Sequence, residues 1–572
     1  MRNNIDLSLD PDELFLNPWR EEGLRLLDDP EFIWRETETT VIDGFAVSAH
    51  AEINAKIRAF VGHTKKHKRF SKPIEINSVP VVLENASFRK SHVLANEKLV
   101  LSGASATRLI NGYRWENEGS EIDPSKKLDT YFSQCSAGNE GRKLSIETTF
   151  IEPDLDFAIE CRNTFNYFHF LTETLCQLSV LDGVGFRGKV FFHFPNQEEK
   201  HRGFADAFVA ALFPEFEGRV FFERAPKAYD IILSAFDMTG GISQMPKAAT
   251  KGIMRLAPEG TSITSMDFRA VLAMNSVSTA LINLRKRALR AIEAHDFSYL
   301  PKRVFVGRGD DQSRNRPLDG QQLLLDQLAP MEFDYVVFEE LAPLEQIALM
   351  AQAEVMVSHH GAGFANMLFA GSDTYVIELG TLQTAQHRWA DFWPLAHASK
   401  CKYLTFFADF SAEDPLSEPN FSSDGIVPTA LSPAAISQIT TFIAGILGNA
   451  PDLQNVKNLT ILARRMFRAG AIGPTIELLD RHQDIVLSNG ALCLLRADCH
   501  KAWDQPKSEL VALGQAYEAD PMRWQTLVRL IWCANRCERP EVIQWSVAQL
   551  AAEFPDRHDA FVANHDWVRF VV

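Results

Sequence analysis

The sequence predicts a mixed α/β protein that continues into an all-α region of helical repeats. Short apolar runs alternate with segments of helical periodicity through the middle of the chain, an arrangement typical of parallel sheets covered by helices. Beyond residue 448 only the helical periodicity remains. A net charge of -16, from 58 Lys+Arg against 74 Asp+Glu, argues against a protein that wraps nucleic acid.

The composition is that of a soluble globular protein with several domains. A chain of 572 residues suggests roughly three to four domains, and 46% hydrophobic with 23% charged residues is typical of a soluble globular protein. The eight cysteines form no CxxC pair, so neither a disulfide scaffold nor a zinc site is indicated. There is no apolar run of the ~18 residues that a membrane span requires, nor a signal-peptide core, and we expect a cytoplasmic protein.

The N-terminal half is expected to contain two regions. Residues 1–45 are acidic and contain Trp19 and Trp34, which indicates a helical extension. Residues 46–295 are expected to form an N-terminal α/β domain with a β-rich insertion. Its predicted elements are β-rich runs over 74–151, a helix over 166–181, strands at 189–194 and 219–222, and a basic-faced helix over 276–295 that joins two halves.

Residues 296–447 give the clearest pattern, that of a Rossmann-like domain. Four short apolar runs predict strands, and helical patterns separate them. The strands are expected at 304–306, 335–338, 355–357 and 375–377, and the helices at 321–328, at 343–352 and after Gly361.

The tail, residues 448–572, resembles tetratricopeptide repeats. Asp520-Pro521 and Phe554-Pro555 are separated by the period of that repeat, about 34 residues. Each helix pair of such a repeat leaves an apolar face for its neighbour to cover. We expect the tail to contact a protein partner or to form a homodimer.

The strongest local signal is Ser358-His-His-Gly-Ala-Gly-Phe-Ala-Asn366, directly after a predicted strand. Gly361, Ala362 and Gly363 let a ligand approach the backbone, and a helix that begins there favours an anion. The alternative is a plain strand-to-helix turn whose small residues serve packing. His359 and His360 have no obvious packing role at such a turn, and we expect both to bind the ligand.

Charged residues follow other strands of the same domain. Arg308 is placed to hold phosphate oxygens in bidentate fashion, and Arg314 and Arg316 are further candidates, unless they are merely solvated loop residues. Glu378 ends the fourth strand, where a carboxylate can accept hydrogen bonds from ribose hydroxyls or simply end the strand.

A second candidate cluster lies in the predicted helix at 166–181. His169 and Glu173 are four residues apart and therefore share a helical face. A carboxylate that orients an imidazole makes a workable general base. The alternative is an ordinary surface ion pair.

These pieces occur in an order that resembles glycosyltransferase family 61, which includes plant xylosyl- and arabinofuranosyltransferases and animal N-acetylglucosaminyltransferases. The resemblance covers about residues 163–403 and rests on Asn166-x-x-His169-x-x-x-Glu173, Arg308, Pro343-Leu-Glu-Gln346, His360-Gly-Ala-Gly363-x-x-Asn366 and Ile377-Glu-Leu379. It implies a GT-B fold, meaning two Rossmann-like halves with the active site between them, and an inverting, nucleotide-sugar-dependent reaction. It also implies that the half formed by residues 46–295 is the acceptor side. Two positions depart from the family pattern: Leu344 replaces an aromatic residue, and Phe170 stands where Trp is frequent.

The resemblance also assigns roles. It implies that Asn166 contacts substrate, that Asn366 belongs to the donor site, and that Arg308 and the turn at Gly361 hold the donor diphosphate. Either His169 or Glu173 is then the base. We expect a UDP-linked donor and a glycan, lipid-linked glycan or protein acceptor, with no cofactor and no metal. The chain looks like a bacterial cytosolic relative of the family.

Two other interpretations remain open. The chain could be a non-catalytic helical-repeat scaffold that carries a degenerate glycosyltransferase domain. A dehydrogenase ranks last, because no GxGxxG follows a predicted strand. Separately, the basic run at 65–69 is either a solvated loop or a peripheral contact with the inner face of the membrane.

Overall fold

A computed structural model describes residues 10–89, 92–110, 124–147, 155–162, 166–194, 203–309, 317–412, 414 and 416–570. The chain divides into two compact units, Met1–Gln321 with Glu332–Leu431, and Gln322–Met331 with Ser432–Val572. The first unit is mixed α/β and the second is helical, as the sequence predicts. Among the helices of the described ranges, none has the length and apolar character needed to cross a bilayer.

The first unit contains the strands of the described residues. They are β1 (Leu24–Leu26), β2 (Trp34–Glu36), β3 (Ile42–Ala46), β4 (Ile74–Ile76), β5 (Ser78–Arg89), β6 (His92–Ala95), β7 (Lys98–Leu99), β8 (Phe157–Glu160), β9 (Val190–Phe194), β10 (Val220–Arg224), β11 (Lys227–Asp237), β12 (Ser276–Ser278), β13 (Arg303–Val306), β14 (Asp334–Val336), β15 (Val355–His359), β16 (Tyr375–Thr381), β17 (Lys402–Phe410) and β18 (Thr429–Ala430).

The α-helices occur in both units. They are α1 (Pro11–Leu14), α2 (Ala51–His67), α3 (Gly103–Ile110), α4 (Pro124–Gly138), α5 (Tyr167–His169), α6 (Gly203–Leu212), α7 (Met238–Gly241), α8 (Lys247–Thr250), α9 (Met266–Asn275), α10 (Thr279–Ile292), α11 (Gln321–Leu328), α12 (Pro343–Gln352), α13 (Leu382–His387), α14 (Trp393–Ser399), α15 (Phe421–Asp424), α16 (Pro433–Ile446), α17 (Val456–Arg468), α18 (Ile472–Arg481), α19 (Gln483–Leu487), α20 (Gly490–Ala502), α21 (Pro506–Ala519), α22 (Trp524–Arg536), α23 (Pro540–Glu553) and α24 (Pro555–Asn564).

Shorter or irregular helical segments complete the structure. One is a π-helical turn, Phe170–Thr174, and the others are the 3-10 segments Leu175–Leu181, Pro214–Phe216, Ile242–Gln244, Ile253–Arg255, Ala329–Met331, Phe338–Glu340, Ala362–Phe369, Trp389–Phe392 and Asp566–Phe570.

The first large sheet has the strand order β10-β9-β8-β11-β5-β6-β7, with β1 paired to β5. Strands β8 to β11 run parallel, whereas β5, β6 and β7 pair antiparallel, as expected for a β-rich insertion. The parallel strand β8 ends at Glu160. The segment that follows β8 therefore begins at the carboxyl edge of this sheet, where open α/β sheets bind ligands.

The second large sheet has the order β14-β13-β15-β16-β17-β18, with only the β17–β18 pair antiparallel. Every residue of β15 is buried, and so is nearly all of β16 and β17. Strands that are buried on both faces in this way are typical of a parallel sheet covered by helices on both sides. The strands end near Arg308, at His359 and just beyond Glu378, so these three residues lie along one edge.

The predicted N-terminal helical extension is wrong for the described residues 10–45. One four-residue helix is followed by β1, β2 and the start of β3. Strand β3 runs parallel to β17 and extends the second sheet, although the two strands lie far apart in the chain, at Ile42–Ala46 and Tyr403–Phe407. The acidic composition and the two tryptophans suggested a helical extension, but the apolar positions Ile42 and Phe45 are buried against the sheet.

Two predicted helices are present but are not regular α-helices. The predicted helix over 166–181 is present but changes from α through π to 3-10 geometry. The helix after Gly361 is a 3-10 segment, Ala362–Phe369, and not an α-helix. Its residues include the buried side chains of Phe364, Met367 and Phe369, so packing against the core fixes this segment.

The second unit confirms the predicted helical tail, and its helix pairs recur at a regular interval. The first helices of three successive pairs begin at Val456, Gly490 and Trp524, and the second helices begin at Ile472, Pro506 and Pro540. Both series advance by the same step, which is the tetratricopeptide period of about 34 residues. Pro506 and Pro540 stand at the first helical position, where a missing N–H has no cost.

Candidate functional site

Arg308 lies against the turn that the sequence singles out. Its Nη2 donates to the carbonyl oxygen of His360 at 2.7 Å. A Cβ added to Gly361 would lie 2.6 Å from the same nitrogen, so a larger residue would displace the guanidinium from this position. The positive group and the turn therefore share one surface at the edge of the second sheet.

His360 is held by a buried carboxylate. Its Nδ1 lies 2.6 Å from Oε1 of Glu378, whose side chain is 1% exposed. The other carboxylate oxygen of Glu378 accepts hydrogen bonds from the hydroxyls of Tyr403 and Thr405. Glu378 thus fixes the imidazole and has little surface left for the ribose hydroxyls that the sequence analysis assigned to it.

His169 is held in the same way from the first sheet. Its Nδ1 lies 2.6 Å from Oε1 of Glu173, and the Arg108 guanidinium donates to Oε2 of the same carboxylate. Nε2 of His169 lies 3.1 Å from Nη1 of Arg162. The π-helical turn that begins directly after His169 carries Glu173, and such turns are frequent at functional sites.

The electrostatics of this second pair are strong. Burial by itself would raise the pKa of Glu173, but the Arg108 guanidinium and the hydrogen bond with His169 outweigh it and lower the pKa to about 2. The neighbouring Glu160 behaves in the opposite way, because burial raises its pKa to about 7 despite the attraction of Arg108. Glu173 is therefore a permanent anion at neutral pH, and Glu160 changes charge there.

The structure brings the two histidines into one region. Tyr167, at the start of the helix that carries His169, donates its hydroxyl to Oδ1 of Asn366 at 2.5 Å. Phe392 packs on both Phe168 and His360, with ring centroids 5.6 and 5.2 Å apart.

The carboxyl group of Asp391, the residue before Phe392, is also near both imidazoles. Burial raises its pKa, and the neighbouring Arg388 and both imidazoles, His360 and His169, oppose that shift. The carboxyl edges of the two sheets thus contribute to one site.

Other predicted residues have structural contacts. The Asn366 side chain is fully buried and donates to Oε1 of Gln346 at 3.1 Å, while accepting from Tyr167. Its amide joins the two halves of the site and presents no open face. Asn166 caps the helix that follows, since its side chain accepts from the N–H of His169. His359 is the buried last residue of β15, so of the two adjacent histidines His360 is the more open one.

The remaining predictions are quickly placed. Ala362 is exposed at the turn, and an added Cβ on Gly363 would approach Phe338 at 3.3 Å. Arg314 and Arg316 lie outside the described residues. In the basic run, Lys65 pairs with Asp43, so its charge is already used inside the protein. Within the described ranges, no three His, Cys, Asp or Glu side chains gather as a metal site requires.

Sequence reasoning missed the residues that reach the site from elsewhere in the chain. Arg108 precedes Glu173 by 65 positions, and Asp391 follows His360 by 31, so neither stands in a local motif. Tyr167 lies in the predicted helix over 166–181, and only its hydroxyl contact with Asn366 shows that it takes part in the site. Arg162 could have been suspected, because it lies just before the His169 cluster in the sequence.

Comparison with known proteins now identifies the domain. Residues 167–377 match the model of the family described as Glycosyltransferase 61. No curated protein matches the chain. Among solved structures, the crystal structure of MamA is similar to 18% of this chain at 14% identity, with a TM-score of 0.16, and the match spans 59% of the MamA chain. That score is too low to inform the fold. The matched residues include His169, Glu173 and His360, and they end one residue before Glu378. The match shows that this chain carries a glycosyltransferase domain of family 61.

Proposed function

We propose that this glycosyltransferase is inverting and metal-independent, and that it transfers a sugar from a UDP-sugar to a hydroxyl of a glycan, lipid-linked glycan or protein. We further propose that the two large sheets are the two halves of a GT-B fold. The observation that carries the proposal is the meeting of two carboxylate-held imidazoles, His169 with Glu173 and His360 with Glu378, at the carboxyl edges of the two sheets.

The donor diphosphate lies, in this proposal, against the turn at Gly361. Arg308 contacts that turn directly and can hold two phosphate oxygens with its planar fork. His360 presents its other nitrogen, and when protonated it donates to a phosphate oxygen while Glu378 balances its charge. These two cations neutralise the leaving group where charge develops, which is the role that a divalent metal has in other transferases.

His169 is the proposed base. The pKa of Glu173, about 2, makes that carboxylate a poor proton acceptor, and both of its oxygens are already hydrogen-bonded. Glu173 instead orients the ring and stabilises it once it is protonated. For these reasons we assign the proton transfer to the histidine and not to the glutamate.

The reaction is a single displacement. The acceptor oxygen attacks the anomeric carbon, its proton passes to Nε2 of His169, and the bond from the anomeric carbon to the phosphate oxygen breaks. The electron pair of that bond leaves with the nucleoside diphosphate, so the configuration at the anomeric carbon inverts.

The helical tail is proposed to supply the contact with a protein partner or a second copy of the chain. Val511 and Trp545 are 62% and 44% exposed and occupy the same position of successive repeats. We place the reaction in the cytoplasm. None of the eight cysteines, all of which are described, forms a disulfide, which suits a reducing compartment.

The test is a screen of nucleotide sugars by thermal shift, followed by transfer to a panel of glycoside acceptors. A UDP-sugar is expected to raise the melting temperature of the wild type and of His63→Asn, an exposed control on α2, but not that of His360→Asn. EDTA is expected to leave transfer unchanged, and the product anomer is expected to be opposite to that of the donor. An equal shift in melting temperature for His360→Asn and His63→Asn would refute the proposed diphosphate site. A retained anomeric configuration would refute the proposed mechanism.

A further inference from the structure

Arg162 contacts the ring nitrogen of His169 that must accept the proton in the proposed mechanism. The residue follows β8 by two positions, and its Nη1 lies 3.1 Å from Nε2 of His169. No motif of the chain includes it, and the mechanism above gives it no role.

The hydrogen-bond roles at this imidazole are determined by its partners. Glu173 is an anion and can only accept, so Nδ1 of His169 carries the hydrogen and donates at 2.6 Å. A guanidinium can only donate. Nε2 therefore carries the lone pair of the ring, and Arg162 donates a hydrogen bond to it.

The second imidazole differs in this respect. His360 uses Nδ1 toward Glu378, while its Nε2 has no hydrogen-bond partner among the residues that the structure describes. In both pairs the Nδ1 atom of the imidazole lies 2.6 Å from a glutamate oxygen. The cover is thus specific to the histidine that must accept a proton.

We propose that Arg162 is a positioning residue that covers the base in the donor-free enzyme and turns to the donor diphosphate when it binds. This inference rests on the proposed function, since it requires a diphosphate beside the turn at Gly361. The guanidinium gains by the move, because its bond to a neutral imidazole is replaced by bonds to charged phosphate oxygens.

The other charged groups around His169 are compatible with this exchange. Glu173 and Arg108 hold the ring from its Nδ1 side and remain in place. Asp391 faces both imidazoles from the segment Trp389–Phe392 and lies near enough to affect a cation there. The acceptor hydroxyl reaches Nε2 only after the donor has entered, so the donor binds first and the acceptor second.

The experiment uses the full-length protein with UDP and inorganic pyrophosphate as probes. Calorimetry compares the wild type with Arg162→Gln, Arg162→Lys and Arg308→Gln, and with Arg58→Gln as an exposed arginine control on α2. In parallel, ¹⁵N-histidine labelling follows the Nε2 resonance of His169, which is assigned by its absence in His169→Asn.

Arg162→Gln is expected to bind UDP about tenfold more weakly, as loss of one charge-assisted hydrogen bond predicts, with Arg162→Lys intermediate and Arg58→Gln unchanged. UDP is expected to shift the Nε2 resonance of the wild type strongly and that of Arg162→Gln much less, a change that a merely structural role would not produce.

Two outcomes separate the hypotheses. If Arg308→Gln weakens UDP binding while Arg162→Gln binds it like the wild type, and the Nε2 resonance ignores UDP, the role of Arg162 is refuted and the proposed function stands. If the wild type binds neither UDP nor pyrophosphate, both fall.

Discussion

Replacing Glu173 by glutamine removes one buried charge and keeps the side-chain shape. The pKa of Glu173 is lowered from 4.5 to about 2, so the folded protein favours the charged form by about 3 kcal/mol, at about 1.4 kcal/mol for each pKa unit. The carboxylate is only 16% exposed, and Arg108, its partner, only 11%. We therefore expect Glu173→Gln to lose about 3 kcal/mol of unfolding free energy at pH 7.

The pH dependence of this loss has a definite sign. Because the pKa of Glu173 is lower in the folded than in the unfolded chain, its contribution is complete above pH 4.5 and is lost as the pH falls toward 2. The difference between wild type and Glu173→Gln should therefore be largest at pH 7 and should shrink steadily below pH 4.5.

The assay is amide hydrogen exchange of peptides within Phe170–Leu181 in increasing urea, corrected for intrinsic exchange rates. These residues lie in the same helical segment as Glu173, so the measurement avoids unfolding of the separate helical unit. Glu217→Gln, at an exposed glutamate, is the control. A difference below about 1 kcal/mol at pH 7, or one that is equal at pH 7 and pH 3, would refute the reasoning.

Three further predictions concern a buried hydrogen bond, a buried histidine and the carboxylate that holds His360. Tyr167→Phe leaves the buried Oδ1 of Asn366 without its donor and should cost about 1–2 kcal/mol by urea unfolding, whereas Tyr299→Phe, at a 65% exposed tyrosine, should cost almost nothing; equal costs would contradict this. Burial lowers the pKa of His193 from 6.5 to about 4, so wild-type stability should fall as the pH drops from 6.5 to 4, and a melting-temperature series should be flatter for His193→Phe; parallel curves would be evidence against it. Glu378→Gln should weaken UDP binding in calorimetry about tenfold, because the imidazole it fixes loses its anionic partner, and unchanged affinity would contradict that role.

Much of the second sheet was predictable because its strands are buried on both faces. The runs around Val304 and Val355 are apolar throughout, and the helices 321–328 and 343–352 begin and end where the pattern places them. The helical repeat was detected from one interval, and the structure shows three helix pairs in the same register. Local periodicity determines such elements, so a sequence displays them directly.

The site was predictable only in part. The pairing of His169 with Glu173 follows from spacing along a helix and is observed at 2.6 Å. The pairing of His360 with Glu378 joins the ends of two neighbouring strands, whereas the sequence suggested that Glu378 contacts a ribose or simply ends its strand. Residues at the ends of neighbouring strands lie close together in space, but their separation along the sequence follows no fixed spacing.

The sequence by itself determined which local elements form, and which carry imidazole, carboxylate and guanidinium groups at their ends. Only the tertiary structure decided that β3 joins a sheet formed mainly by residues after 300, that Arg108 locks Glu173, and that Tyr167 reaches Asn366. The physical reason is that these contacts join segments that are distant along the chain. Their free energy depends on burial and charge pairing after the chain has closed, and not on the periodicity of either segment.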